Sequence, residues 1–327
     1  MKETLQLCLD FLQTVEEPWI RYWLLEDIPK NSAMRKGFKQ EILDHPSVQQ
    51  LIDRCLQWPE PALKRHNDAK HPLHQMQLLL DLGLDRGDKP IQKIANRIMM
   101  FQSEEGPFLS QNLIPKHFGG TGEPALSWIL CDTPLLLYFL IRAGYGKEPD
   151  VQSAIDHLAS LVDDNGWRCK GSIPKFHGPG NKADFCPFAN LIALKVFSQL
   201  PEFHEDEFIL DAIDSFFWHW LNTNERKIYL FAMGTHFRRL KYPLVWYDLL
   251  NVCHTLSYFP HAHTHPVFAE MLEVITAKQQ DSGGFIPESI FMNFKGWSFG
   301  QKKIESPMMT WKVYEMLNNL PEKIENS

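Results

Sequence analysis

Apolar residues recur every three or four positions along almost the whole chain, whereas runs that alternate apolar and polar residues are scarce. The stretch Leu135, Leu136, Tyr138, Phe139 and Ile141 is typical, because these positions fall on one face of a helix. This spacing continues through nearly every segment between the prolines and glycines. The pattern predicts an all-α protein.

Prolines divide the helical pattern into pairs. Proline is favoured in the first turn of a helix, where its missing N–H has no partner to lose. One series of prolines, spaced about sixty residues apart, precedes strongly apolar segments, and a second series precedes more charged ones. The first series is Pro72, Pro134, Pro187, Pro243 and Pro307, and the second is Pro90, Pro149, Pro201 and Pro266. The sequence therefore predicts hairpins of two helices from about residue 59 onward.

A turn rich in glycine or acidic residues, followed by an aromatic residue, recurs after the second helix of a pair. It is found at 102–108, 163–167 and 280–285. A repeat of this kind indicates hairpins whose apolar faces are buried only by neighbouring units. We therefore expect one continuous repeat domain at residues 59–327. Residues 1–58 are predicted to form a helical N-terminal cap that is similar to a HEAT unit.

Composition and charge narrow the possible partners. The 327 residues carry 33 Lys and Arg against 40 Asp and Glu, without a basic block, so we expect no nucleic acid partner. No segment reaches the roughly 18 uncharged apolar residues of a membrane span, and the first residues lack the apolar core of a signal peptide. The six cysteines include no CxxC pair, which favours free thiols. Together these features predict a soluble, cytoplasmic protein.

The repeat and its turn resemble the α/α-toroid superfamily of squalene-hopene-type cyclases and protein prenyltransferase β subunits. Gln280-Asp-Ser-Gly-Gly-Phe285 is similar to the Gln-x-x-x-Gly-x-Trp turn of that superfamily, and the resemblance covers about residues 59–320. It implies a ring of αα-hairpins in which the more apolar helices surround a central cavity. It also implies a prenyltransferase-like or terpene-cyclase-like protein that binds an isoprenoid or another amphiphilic anion. The Asp-x-Asp-Asp and Asp-Asp-x-x-Asp motifs of the cyclising enzymes are absent.

The resemblance suggests where a ligand would bind. Parallel inner helices would place several positive N-terminal ends around one rim, where an anionic group can bind. Aromatic residues near the predicted helix starts would either line the cavity or plug it. The candidate ligand-binding residues are Trp128, Asp132, Arg238, Arg239, Trp246, Tyr247 and Trp311. The two arginines would pair with a phosphate, whereas Asp132 is equally well placed as a helix N-cap.

A candidate zinc site also follows from the resemblance. Protein prenyltransferase β subunits have a lysine shortly before an Asp-x-Cys pair, which Lys182, Asp184 and Cys186 resemble. The third ligand of that family is a histidine after a tyrosine, and the matching residue here is Asp248 after Tyr247. A carboxylate can also bind Zn²⁺. We expect Cys186 and Asp248 at the same end of the ring.

Cys169, His177 and Cys186 form a second, looser cluster, for which buried apolar thiols are the favoured interpretation. The glycines at 119–122 follow no predicted strand and are interpreted as a turn before a helix that contains Trp128. No residue has the context of a catalytic nucleophile. The catalytic residues are therefore not predicted.

Two other functions remain open. One is a non-catalytic helical repeat scaffold that binds a protein partner on its curved surface. The other is a carbohydrate-active α/α-toroid enzyme, in which paired carboxylates would face the cavity. The sequence contains no diagnostic pair of that kind.

Overall fold

The structure is a computed structural model that describes residues 1–25, 31–180, 184–225, 228 and 231–321. Helices dominate it, as the apolar periodicity predicts. The α-helices of the described residues are α1 (Lys2–Gln13), α2 (Pro18–Leu24), α3 (Ser32–Asp44), α4 (Pro46–Cys55), α5 (Pro72–Asp81), α6 (Lys89–Met99), α7 (Pro134–Leu140), α8 (Pro149–Ser160), α9 (Pro187–Phe197), α10 (Glu207–Asn222), α11 (Leu249–Leu256), α12 (Pro260–His263), α13 (Pro266–Thr276) and α14 (Pro307–Asn318). Strands β1 (Ser110–Leu113) and β2 (Pro124–Ser127) form a small antiparallel sheet. None of the described helices is long and apolar enough to cross a lipid bilayer.

Most of the prolines singled out above lie in the first turn of a helix. Seven of them do so, in α5, α6, α7, α8, α9, α13 and α14. Pro201 instead begins a short 3₁₀ turn ahead of α10. The prediction that prolines mark the helix starts is confirmed at these seven positions.

Pro243 is an exception, because α11 begins further along, at Leu249. The carboxylate of Asp248 accepts the backbone N–H of Asn251 at 3.0 Å and so caps the helix there. The side chain of Asn251 in turn donates to the Trp246 carbonyl at 2.7 Å. A proline permits a helix to start but does not satisfy the N–H groups that follow it, whereas an aspartate does. The predicted helix start at Pro243 is wrong for this reason.

The region around Trp128 is also different from the prediction, because Trp128 follows strand β2 and does not lie in a helix. In the sheet, Ser110 pairs with Ser127. The buried side chain of Asn112 donates to the carbonyl of Ser127 at 3.2 Å and so joins the two strands. A side-chain hydrogen bond therefore supports a hairpin that the apolar pattern does not reveal.

The apolar helices that begin the hairpins pack in chain order. Helix α5 contacts α7, α7 contacts α9, α9 contacts α11, and α11 contacts α14. The N-terminal helices lie at both ends of this series, because α1 and α2 contact α14 and α4 contacts α5. One cluster of buried apolar side chains extends from Cys8 to Leu317 and includes residues of both predicted parts of the chain.

A buried group of charged side chains joins the first and last helices of the series. The Oδ1 atom of Asp81, at the C-terminal end of α5, lies 3.0 Å from Arg142 and 2.9 Å from Nζ of Lys312 in α14. Tyr242 donates its hydroxyl to the other oxygen of Asp81 at 2.9 Å, and Lys312 also pairs with Glu315 at 2.8 Å. Burial alone would raise the pKa of Asp81, but the two cations outweigh this effect and lower it.

The turn after α13 shows why an aromatic residue recurs at this place. Gln279 donates a side-chain N–H to the carbonyl of Gly283 at 3.0 Å, and Phe285 is fully buried. Gly283 has a φ of 93°, which favours glycine. The turn that begins at Gln102 has the same side-chain hydrogen bond and the same buried aromatic residue. The glutamine that closes the turn is therefore Gln279. It is not Gln280, with which the resemblance to the superfamily turn begins.

Candidate functional site

The N-terminal ends of several of these helices meet at one cavity of about 500 Å³. Cys131, just before α7, has its Sγ atom 3.7 Å from that of Cys186, which caps α9. The ring of Phe188 in α9 lies against the ring of Trp246, which precedes α11, with 4.4 Å between their centroids. These contacts connect residues at or just before the N-terminal ends of α7, α9 and α11.

Much of the cavity wall is apolar. Its aromatic side chains include Phe118, Phe176, Phe188, Phe231 and Trp246. Its cationic side chains are Lys64, Arg65, Arg168 and Lys170. Lys64 and Arg65 are exposed, whereas Arg168 and Lys170 form ion pairs with Asp163 at 3.4 and 2.9 Å. The cavity thus combines an aromatic interior with positive charge from two separate segments.

Three cysteine thiols form a compact group in this wall. Cys131 precedes α7, Cys186 caps α9, and Cys169 lies in the segment between α8 and α9. Their Sγ atoms all lie within 4.8 Å of one another. Among the residues that the structure describes, no other group of three His, Cys, Asp or Glu side chains is placed so that it could hold a metal ion. We call these three residues the thiol cluster.

Cys186 is the member of the thiol cluster that most readily carries a negative charge. Hydrogen bonds from the thiols of Cys131 and Cys169 hold the pKa of Cys186 well below its usual range, against the effect of burial. The backbone N–H of Ala189, in the first turn of α9, also donates to its Sγ atom at 3.5 Å. The same thiol contacts, together with burial, raise the pKa of Cys131. A thiolate is therefore most stable at the helix N-terminus, as expected from the helix dipole.

An ion pair lies beside the thiol cluster. Nδ1 of His66 is 2.7 Å from Oδ1 of Asp132, and both residues line the cavity. Burial lowers the pKa of His66, but the charge and the hydrogen bond of Asp132 outweigh it, so the pKa is raised overall. The second oxygen of Asp132 is buried and has no hydrogen-bond partner among the described residues.

Of the seven predicted ligand-binding residues, Asp132 and Trp246 line the cavity. Tyr247 is buried beside it, and its hydroxyl lies 2.9 Å from Nδ1 of His219. Burial raises the pKa of Tyr247 well above its ordinary value. This tyrosine therefore supports the wall without contributing a surface to it.

Two other predicted tryptophans pack elsewhere. The indole N–H of Trp128 donates to Glu105 at 2.6 Å. Trp311 stacks on Trp23, with 6.2 Å between the ring centroids. Neither side chain belongs to the cavity wall.

The two predicted arginines also lie outside the wall. The guanidinium of Arg238 lies over the Trp220 ring, 4.4 Å from its centroid, and donates to the Met233 carbonyl at 3.3 Å. Arg239 is exposed. The cations that do line the cavity were missed, although Lys64-Arg65-His66 is a short basic run just before the Pro72 segment.

The zinc ligands implied by the resemblance are only partly brought together. Asp184 and Cys186 both line the cavity, and Lys182 lies outside the described residues. Asp248 is not in the wall: one of its oxygens caps α11 through Asn251, and burial raises its pKa to about 7. Neither aspartate belongs to the thiol cluster. The residues present therefore do not reproduce the Asp, Cys and His set of that family.

A sequence signal for the thiol cluster existed but was weak. Cys131 lies three residues before the proline that begins α7, and Cys186 lies directly before the proline that begins α9, so they occupy roughly similar places in the sequence repeat. Cys169 has no such repeat position. Only the packing of the segment between α8 and α9 brings it to the other two thiols.

No protein-family model matches this chain, and no curated protein has significant similarity to it. The interpretation of the site therefore depends on its own residues and geometry.

Proposed function

We propose that the chain is an α/α toroid whose cavity binds an amphiphilic anion of the isoprenoid class. The packing of α5, α7, α9, α11 and α14 in chain order supports a ring of inner helices, and the Asp81–Lys312 ion pair supports its closure. The second helices α8, α10 and α13 contact α7, α9 and α11, as expected for outer members of hairpins. In this arrangement residues 1–58 form a cap that contacts the first and last units of the 59–327 repeat domain.

The observation that carries the functional proposal is the aromatic cavity of about 500 Å³. This volume lies within the usual range for small-molecule sites. Each methylene group that moves from water into such a cavity contributes about 0.8 kcal/mol. The rings of Phe188 and Trp246, which contact each other at an angle of 42°, provide an apolar surface on which a branched hydrocarbon chain can pack.

The exposed cations of the wall favour an anionic head group, against the carboxylates of Asp132 and Asp184 that also line it. Lys64 and Arg65 are exposed and belong to the wall, and Arg168 and Lys170 lie on a second segment. A guanidinium forms paired hydrogen bonds with phosphate oxygens, and an ammonium adds a compact positive charge. A diphosphate at the cavity mouth would therefore be stabilised while its chain occupies the interior.

Isothermal titration calorimetry with farnesyl diphosphate tests this proposal. The double variant Lys64→Gln/Arg65→Gln should bind at least about tenfold more weakly than the wild type, because two cations of the wall are lost. The matched control is Arg238→Gln/Arg239→Gln, which removes two cations outside the wall and should leave the affinity unchanged.

A second pair of variants tests the apolar interior. Trp246→Ala should weaken farnesyl diphosphate binding, whereas Trp311→Ala, a tryptophan outside the wall, should not. Absence of any binding by the wild type would overturn the proposal and favour the protein-binding scaffold. If Lys64→Gln/Arg65→Gln and Arg238→Gln/Arg239→Gln reduced the affinity equally, the head group would not bind at the cavity.

A further inference from the structure

We propose that Cys131, Cys169 and Cys186 bind one Zn²⁺ ion in the cavity wall, with a fourth coordination position open to the cavity. This inference goes beyond the isoprenoid proposal and does not depend on it. It also replaces the zinc ligands Asp184 and Asp248 that the family resemblance implies.

The spacing of the sulfur atoms fits a tetrahedral metal site. Zinc–thiolate bonds of about 2.3 Å in a tetrahedron place the sulfur atoms about 3.8 Å apart. The Sγ atoms of Cys131 and Cys186 are 3.7 Å apart, and all three sulfur atoms lie within 4.8 Å of one another. A small rotation of the Cys169 side chain would therefore complete a three-thiolate face.

The number and origin of the thiols favour a metal over a redox pair. A disulfide joins two sulfur atoms at about 2.05 Å, and a third thiol adds nothing to it. Here three thiols converge from three separate segments, whereas Cys8, Cys55 and Cys253 belong to no such group. Divalent zinc binds thiolates strongly, and sites with three protein ligands keep a position for water or substrate.

The direction of that open position follows from the cavity. All three cysteines line it, so the side of the cluster that carries no protein ligand faces the empty volume. The arrangement is that of an accessible site and not of a closed structural one.

Metal analysis tests the assignment. The protein, purified without a polyhistidine tag and dialysed against a weak chelator, should contain about one zinc per chain by inductively coupled plasma mass spectrometry. Cys131→Ser, Cys169→Ser and Cys186→Ser should each reduce this content severalfold. Cys8→Ser, which changes a buried thiol outside the cluster, should retain it, and circular dichroism confirms that each variant is folded.

A second measurement uses the wild-type chain and so does not depend on the folding of variants. Titration of the metal-free protein with Co²⁺ should saturate at one equivalent, with a thiolate-to-cobalt charge-transfer absorption typical of three thiolates. Addition of a small thiol should shift the visible cobalt bands, because a donor enters the open position. An unchanged spectrum would overturn the open position.

Three results would overturn the zinc site itself. They are clearly substoichiometric binding of both metals, equal metal content in the Cys186→Ser and wild-type proteins, and a Cys131–Cys186 disulfide found by mass spectrometry after blocking of free thiols. No isoprenoid is present in these measurements. A failure of farnesyl diphosphate to bind would therefore leave the zinc result intact, and the reverse also holds.

Discussion

Lys195 places its amino group in the interior of the protein, near the buried charged side chains of Asp81, Arg142 and Lys312. Only 6% of its surface is exposed, and its Nζ atom donates to the carbonyl of Leu244 at 3.2 Å. Burial lowers the pKa of Lys195 to about 7, although the charge of Asp81 opposes this shift. At neutral pH the native protein therefore holds this lysine close to its deprotonation point.

Replacing Lys195 with methionine should stabilise the protein in a pH-dependent way. The unfolded chain keeps the lysine protonated up to about pH 10.5, whereas the native state loses the proton near pH 7. The destabilisation from Lys195 is thus fully present below pH 7 and disappears as the pH rises towards 10.5. Lys195→Met should raise the free energy of unfolding by about 2 to 4 kcal/mol at pH 6, and this gain should shrink at pH 9 to 10.

Urea unfolding at several pH values measures this difference. The exposed Lys147 provides the control, since Lys147→Met should leave the pH profile of stability unchanged. A gain for Lys195→Met that stays constant from pH 6 to 10 would contradict the explanation.

The sequence identifies several important residues but not their neighbours. It marks Cys186 as a residue at a helix start, which is correct, but it begins the next apolar helix at Pro243, whereas α11 begins only after Asp248. One such position can serve either as an N-cap or as a metal ligand, and the choice depends on what packs opposite. Asp248 caps α11, whereas Cys186 faces two thiols from other segments. Contacts between distant segments are what a single sequence does not contain.

Among the elements, the turn after α13 shows the tightest backbone contact with an N-terminal helix. Gly283 has a φ of 93°, and a Cβ atom at this position would overlap the carbonyl of Leu7 in α1. Gln279 adds a hydrogen bond to the Thr4 carbonyl at 3.0 Å. The turn therefore holds α1 against the segment that follows α13.

Gly283→Ala should lower the free energy of unfolding by about 2 to 4 kcal/mol, because it adds both backbone strain and a clash with Leu7. Gly296→Ala is the control, since a Cβ atom there meets nothing within 4 Å. Thermal unfolding followed by circular dichroism compares the two. Similar melting temperatures for the two variants would show that α1 can move away at little cost.

The helices were predicted correctly where interactions between residues close in sequence determine the structure. Apolar periodicity and first-turn prolines gave the long helices, since both signals depend on residues within a few positions of each other. The β1–β2 hairpin was missed because Ser110-Gln-Asn-Leu113 has no apolar alternation. Its support comes from the side chain of Asn112 and from the bridge between Leu63 and Asn112, which are contacts that periodicity does not record.

For the whole molecule, the buried ion pairs of Asp81 provide a test of how strongly charge holds α5 and α14 together. Lys312→Met should destabilise the protein by about 3 kcal/mol, because it removes a buried cation that neutralises both Asp81 and Glu315. Arg86→Gln, which breaks the exposed Arg86–Glu148 pair, should cost less than about 1 kcal/mol. Urea unfolding at neutral pH measures both variants.

A double variant separates the charge effect from a loss of packing. Combining Asp81→Asn with Lys312→Met should cost less than the sum of the two single changes, because neither partner is then left charged and alone. Strictly additive costs would show that Lys312 acts by packing, and not through its charge.

The repeat pattern in the sequence predicts the helices and their succession along the chain. The order of the helices depends on local signals, whereas the ring of hairpins is a hypothesis that comes from the resemblance. The thiol cluster and the cations of the wall depend on how three repeat units and the 63–67 segment meet. These contacts arise only after the units have packed, so the site was less predictable than the helices that carry it.

The contacts of α1 with α14 have a consequence for how the chain folds during synthesis. Helix α1 is synthesised roughly three hundred residues before α14, which packs against it, and Asp81 is likewise made long before its partner Lys312. Until then the growing chain exposes an apolar helix face and holds a buried carboxylate without one of its cations. Such distant contacts raise the contact order, which slows folding and lengthens exposure to aggregation. The nascent protein is therefore expected to need protection by a chaperone until α14 has been made.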